Sequence, residues 1–202
     1  ITTHFCQVIL GANATNNYQL WFTILSGLPL GLGIFVIYPL CKKFTIRKTT
    51  IVFNILFIIG AIISLINPYS FIITAIGGCI MNCGTVANMY IMSVLAYTCN
   101  DAIEYEYDFR PESTIANQIL TVIVSIVTGI FAGVYETGLS VTGYDLALGT
   151  NQPVAVQKWI IFVMFWVQII AYVLISVCIY YYDLEAKLPK MQEEIAKRHE
   201  NK

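Results

Sequence analysis

Two groups of side chains in this 202-residue chain have the types and spacing to do chemistry. The first is ionic. Asp101, Glu104, Glu106, Asp108 and Glu112 crowd around Arg110, with Tyr105 among them. Lys42, Lys43, Arg47 and Lys48 form a basic cluster elsewhere in the chain. The acids read either as a solvated loop or as one half of an ionic latch against basic loops. An exposed ion pair contributes only about 0–1 kcal/mol, but several in a network can bias two conformations that differ by a few kcal/mol. The second group is uncharged. Asn117, Thr121, Ser125 and Thr128 recur at spacings of four, four and three, and Gly129 and Gly133 continue close to the same line. Such spacing puts them on one face of a helix. That face reads either as the wall of a water-filled path, able to bond a sugar or an ion, or as a helix–helix seam, where small and hydroxyl residues also collect. Asn82, Thr85, Asn88, Tyr90, Ser93 and Tyr97 are scattered around another helix. One subset is expected to face a cavity and another the neighbouring helices.

No catalytic constellation can be assembled. His4 and His199 lie at opposite ends of the chain, and there is no H-E-x-x-H and no phosphate-cradling glycine loop. An enzyme is the least expected class. The six cysteines lack the clustered CxxC pairs of a zinc site. Cys79 and Cys83 stand four apart and read as a packed pair of small apolar side chains. No metal site and no resident cofactor are expected.

The elements that carry these residues are apolar. Hydrophobic residues make up 57% of the chain and charged ones 11%, against about 25% charged in an ordinary soluble domain. Eleven basic and twelve acidic residues leave a net charge of −1, without the basic surplus that nucleic-acid binding requires. A transmembrane helix needs about 20 mostly apolar residues. Stretches 18–40, 50–66, 71–97, 113–139 and 159–182 qualify or nearly so, and 1–11 reads as the last half of a further span. A barrel would instead show alternating segments of about ten residues. The chain opens inside an apolar stretch without methionine, which reads as a fragment missing its amino-terminal part.

If every span crosses, all basic residues except Lys158 fall on one side, which the positive-inside rule makes cytoplasmic. The expected location is the cell membrane, multi-pass, with a cytoplasmic carboxy-terminal tail. The outer loops are 12–17, 67–70 and roughly 140–157. The first holds the formal sequon Asn13-Ala14-Thr15, read as a chance occurrence. Residues 1–182 form the bundle and 183–202 a polar tail. There Leu184, Leu188, Met191 and Ile195 recur at helical spacing, suggesting an amphipathic helix lying on the membrane face or on the protein, or one that is loosely solvated. Gly27, Pro29, Gly31 and Gly33 in the first complete span read as a hinge or as tight packing.

The acidic stretch and its flanks resemble the glycoside–pentoside–hexuronide:cation symporters, the melibiose permease family of the major facilitator superfamily. Asp101, Glu104 and Tyr105 match the start of that family's D-x-x-[DE]-Y pattern, and Arg110 and Glu112 match its end. Ala132-Gly133 and Gly143-Tyr144 match the distal part, and Leu10-Gly11 looks like the L-G that closes the family's seventh helix. Pro39-Leu40, Lys42-Lys43-Phe44 and Arg47-Lys48 are similar to its basic loop. The resemblance covers nearly all of the chain. The family's W-x-T-G is absent, Ser113 replaces its usual glycine, and Val122 lies near the position where the melibiose permease has a lysine.

The resemblance implies an all-α bundle of five complete transmembrane helices plus a truncated first one, the carboxy-terminal half of a major facilitator fold. It implies cation-coupled (Na+ or H+) symport of a sugar or glycoside by alternating access, with the cation site mostly in an amino-terminal half of the same polypeptide. Asn88, Tyr90, Asn117, Thr121 and Ser125 are then the expected substrate contacts. Asp101, Glu104, Tyr105, Arg110, Glu112, Lys42, Lys43 and Arg47 are the expected cytoplasmic gate. Membrane lipid and a small sugar are the expected partners, with no nucleic acid. Two alternatives stand beside this one: a transporter of lipid-like or other amphipathic solutes, and a non-transporting membrane subunit that binds partners.

Overall fold

The computed structural model describes residues 1–12, 17–109, 113–181 and 184–200. Within them the side chains at 34, 38, 42, 92, 93, 96, 113–117, 184–186, 199 and 200 are outside the description. Among the described residues every regular element is helical. The chain runs through α1 (Thr2–His4, passing into a π-helical turn over Phe5–Ile9), α2 (Tyr18–Lys43), α3 (Ile46–Ile66), α4 (Phe71–Tyr107) and α5 (Ser113–Thr142). It continues through α6 (Val154–Ile161), a second π-helical turn over Phe162–Trp166, α7 (Val167–Tyr180) and α8 (Leu184–Glu200). Five segments are long and apolar enough to cross a membrane, Val154–Tyr180 counting as one. This is an all-α polytopic bundle.

Several boundaries differ from the sequence expectation for identifiable reasons. Helix α3 starts at Ile46 rather than at 50, because the Thr45 side chain caps it by accepting from the Lys48 N–H at 3.4 Å. Helix α4 does not stop at 97. It continues to Tyr107, so most of the acidic stretch that was expected to be a loop is helical. No glycine or proline interrupts 98–108, and the helix ends on Asp108 in the left-handed region at φ 52°. Helix α2 runs through both Pro29 and Pro39.

Contacts at the ends show that the helices alternate in direction. Tyr69 at the α3–α4 turn donates to Gln157 of α6, and Tyr18 stacks on Phe71 with ring centroids 5.0 Å apart. At the other end Arg47 of α3 lies 4.6 Å from the Tyr180 ring centroid of α7. Lys43, Arg47 and Lys48 belong to this second end, called here the basic end. The tightest pair is α3 with α4. A Cβ at Gly60 would stand 2.6 Å from the Gly77 carbonyl oxygen, so the two backbones touch where no side chain intervenes. Near the opposite end Phe5, Phe22, Phe57, Tyr135, Ile160 and Phe165 anchor the main core. Phe5 and Phe165, one from each π-helical turn, pack edge to face at 5.4 Å. Around Pro29 a Cβ on Gly27 or Gly31 would meet nothing within 4 Å, whereas one on Gly33 would meet Val86 at 2.8 Å. Tight packing therefore describes Gly33 alone.

Candidate functional site

Apolar spans leave few polar groups, so each must be placed by a partner or opened to a cavity. Asn54, in the middle of α3, is fully buried. Its Nδ2 donates to Ser176 Oγ of α7 at 3.0 Å, and its Oδ1 accepts from Asn88 Nδ2 of α4 at 2.8 Å. Ser176 Oγ in turn donates to the Tyr172 carbonyl at 2.7 Å. Thr85 Oγ1 and the Tyr172 hydroxyl share a bond of 3.1 Å, and the Tyr172 ring stacks on Phe57 with centroids 3.5 Å apart. Three helices are thereby tied by uncharged bonds at mid-span.

This arrangement sorts the polar residues of α4. Asn88 belongs to the interhelical tie. Asn82 donates to the Ser26 carbonyl of α2 at 2.8 Å, and Asn82 and Thr85 border a cavity of about 190 Å³. Thr2, Ser26, Thr74 and Gln168 also line that cavity, with Phe22, Phe57 and Phe165 among its apolar walls. Tyr90 packs against the apolar cluster of Ile37, Val86, Ala87 and Ile91. Tyr97 is exposed.

Helix α5 is the outlier. From Thr121 to Val134 every residue is exposed, and among its described residues only Tyr135 and Leu139 are buried. It is held at that end by His4 Nδ1, 3.0 Å from the Tyr135 hydroxyl, and by Trp159, whose indole N–H donates to the Tyr135 carbonyl at 3.2 Å. Thr121 and Ser125 lie on the open part, with Ser125 Oγ donating to the Thr121 carbonyl at 2.8 Å. The Asn117 side chain lies outside the described residues. The structure thus does not place Asn88 and Tyr90 in the same surroundings as Thr121 and Ser125.

Two of the expected gate residues, Asp101 and Tyr105, meet the tail helix, which the sequence left open among the membrane face, the protein and solvent. Helix α8 packs on the basic end of α4. Gln192 Nε2 donates to Asp101 Oδ2 at 2.9 Å, and Arg198 Nη1 donates to the Tyr105 carbonyl at 3.0 Å while its guanidinium lies 5.4 Å from the Tyr105 ring centroid. Ile195 and Glu104 are buried. The apolar stripe of the tail was the available signal for this docking. Within the tail, Lys197 donates to Glu193 at 2.7 Å, and that bond holds the Glu193 carboxyl below its ordinary range and lifts the Lys197 ammonium above its own. Lys43 lies 5.8 Å from the Phe44 ring centroid, and Arg47 faces Tyr180. Arg110, Glu112 and the Lys42 side chain lie outside the described residues. Among the described residues no three His, Cys, Asp or Glu side chains are grouped to hold a metal.

A helix-only bundle with uncharged mid-span ties, an uncovered polar helix face and a charged end describes a multi-pass membrane protein of the transporter type. The chain belongs to the MFS/sugar transport protein family, whose family model matches residues 1–186, and so to the major facilitator superfamily. That family is one of transporters, not of enzymes. No curated protein and no solved structure matches the chain.

Proposed function

We propose that the chain is the carboxy-terminal bundle of a secondary active transporter that carries a sugar or glycoside together with Na+ or H+. The observation that carries this reading is the face of α5 bearing Thr121 and Ser125, exposed and uncovered by any described helix of this chain. In a family of transporters, such a face lines the path between two bundles that rock about a substrate near the midplane. The hydroxyls bond sugar hydroxyls without placing a charge in the bilayer. Among the described residues the helix is buried at Tyr135 and Leu139, and in this reading its exposed half packs toward the companion bundle. On the basic end, which this reading places in the cytoplasm, Asp101, Glu104 and Tyr105 hold the α4–α8 contact that closes that side. Coupling follows when cation and sugar both favour one conformation, so that each raises the affinity for the other.

The test is uptake of labelled sugars by the full-length protein in proteoliposomes. The expected result is uptake driven by an imposed Na+ or H+ gradient, with Thr121→Val plus Ser125→Ala lowering it about tenfold, the worth of one to two substrate hydrogen bonds. Gradient-independent signal, or full uptake in the double variant, contradicts it. An amphipathic cargo is favoured by one observation, the 66% exposure of Met89 on α4. Uptake of a lysophospholipid in place of sugars in the same vesicles distinguishes that reading.

A further inference from the structure

At the basic end, between the last turn of α2 and the first turns of α3, a cavity of about 520 Å³ opens on the outside of the bundle. Leu40, Phe44, Ile51, Val52 and Phe53 make its walls, with Lys48 and Thr49 at the same site and no acid among its lining residues. The first turn of α3 carries no acidic residue either, while Lys43, Arg47 and Lys48 surround it in sequence. Thr49 is only 5% exposed, and its hydroxyl is the buried side-chain polar atom without a hydrogen-bond partner among the described residues. From the groove an apolar stripe of Val52, Ile55, Ile59, Ile62 and Ile66 runs along α3, each residue at least 43% exposed. At about 1.5 Å per residue the stripe is about 21 Å long, more than the half-thickness of about 15 Å of a hydrocarbon core.

We infer that this groove is a binding site for an anionic phospholipid of the leaflet at the basic end. The phosphate sits at the exposed Lys48 beside the groove, and one acyl chain fills the groove and follows the stripe. Charge selects the lipid. The site has one cation, Lys48, and no acid among its lining residues, so a zwitterionic headgroup gains less there than an anionic one. The apolar walls select a lipid over free phosphate, which would find one ammonium and no cage. The site does not depend on which solute the transporter carries.

The full-length protein, purified in detergent, is titrated with dioleoyl-phosphatidylglycerol, dioleoyl-phosphatidylcholine or inorganic phosphate, and retained adducts are read by native mass spectrometry. Phosphatidylglycerol is expected to remain bound under activation that strips phosphatidylcholine, and inorganic phosphate to leave no adduct. Lys48→Gln is expected to weaken the phosphatidylglycerol adduct about fivefold. Val52→Trp, at a position 55% exposed, fills the groove without changing charge and is expected to abolish the lipid preference. Phe44→Gln, at another half-exposed wall position, carries the same expectation and replaces Val52→Trp if that variant misfolds. Equal retention of the two lipids overturns the inference. So does a preference that survives the groove variants, since it would then belong to loop charge alone. Phosphate adducts that displace the lipid also overturn it.

Discussion

Asn54 is costly to leave unpaired, being a carboxamide fully buried within an apolar span. Its partners Ser176 and Asn88 lie on two other helices. Interhelical bonds of this kind average about 0.6 kcal/mol in membranes, and orphaning a buried partner adds to the loss. Asn54→Leu is therefore expected to destabilise the protein by about 1–2 kcal/mol, lowering Tm by roughly 2–8 °C in detergent. An unchanged Tm would show that the tie does not hold the three helices. At this scale the sequence reveals residue types but not partners. A lone asparagine in an apolar span announces that it needs a bond. Nothing local says that the bond goes to Ser176, 122 positions away, or that Asn88 faces α3 while Asn82 and Thr85 border the cavity.

Elements differ in what anchors them. Helix α4 is gripped along its length by α2 and α3 and at its basic end by α8. Among the described residues, α8 bonds the Asp101 carboxylate and the Tyr105 carbonyl, and its Ile195 is buried. Arg198→Ala removes a charged hydrogen bond worth about 1.5–3 kcal/mol, discounted for its partial exposure to about 1–2 kcal/mol. It is expected to raise amide exchange in α8 by roughly fivefold to thirtyfold with the spans unaffected. Unchanged exchange would show that Arg198 does not hold α8. Asp101→Asn replaces the carboxylate that Gln192 bonds, and uptake is expected to slow while membrane insertion stays intact. A normal uptake rate would remove Asp101 from the gate. The close α3–α4 approach is just as specific. Gly60→Val puts a branched side chain against the Gly77 carbonyl, where a Cβ alone already stands 2.6 Å away. That variant is expected to lose several kcal/mol, seen as failure to purify as a monodisperse species. Span count and direction were legible in the apolar runs and basic turns. The extension of α4 was not, because charged residues look like a loop until a docked tail supports them as helix.

For the whole molecule, the central claim is that the uncovered face of α5 borders a solute path and not lipid. The hydroxyls of Thr121, Ser125 and Thr128 share one face of this helix and the other side chains from 121 to 134 are apolar, while exposure is nearly uniform over that stretch. Chemistry therefore distinguishes the two sides better than burial does. Ser125 and Val127 stand about 200° apart on a helix of 3.6 residues per turn. The direct measurement uses the full-length protein with its native cysteines replaced and either Ser125→Cys or Val127→Cys introduced. The rate of reaction with a membrane-impermeant maleimide is followed with and without substrate sugar. The account predicts that the thiol at 125 reacts and is slowed severalfold by sugar, while the thiol at 127 stays unreactive. An unreactive thiol at 125, or equal labelling at both positions without protection by sugar, contradicts it.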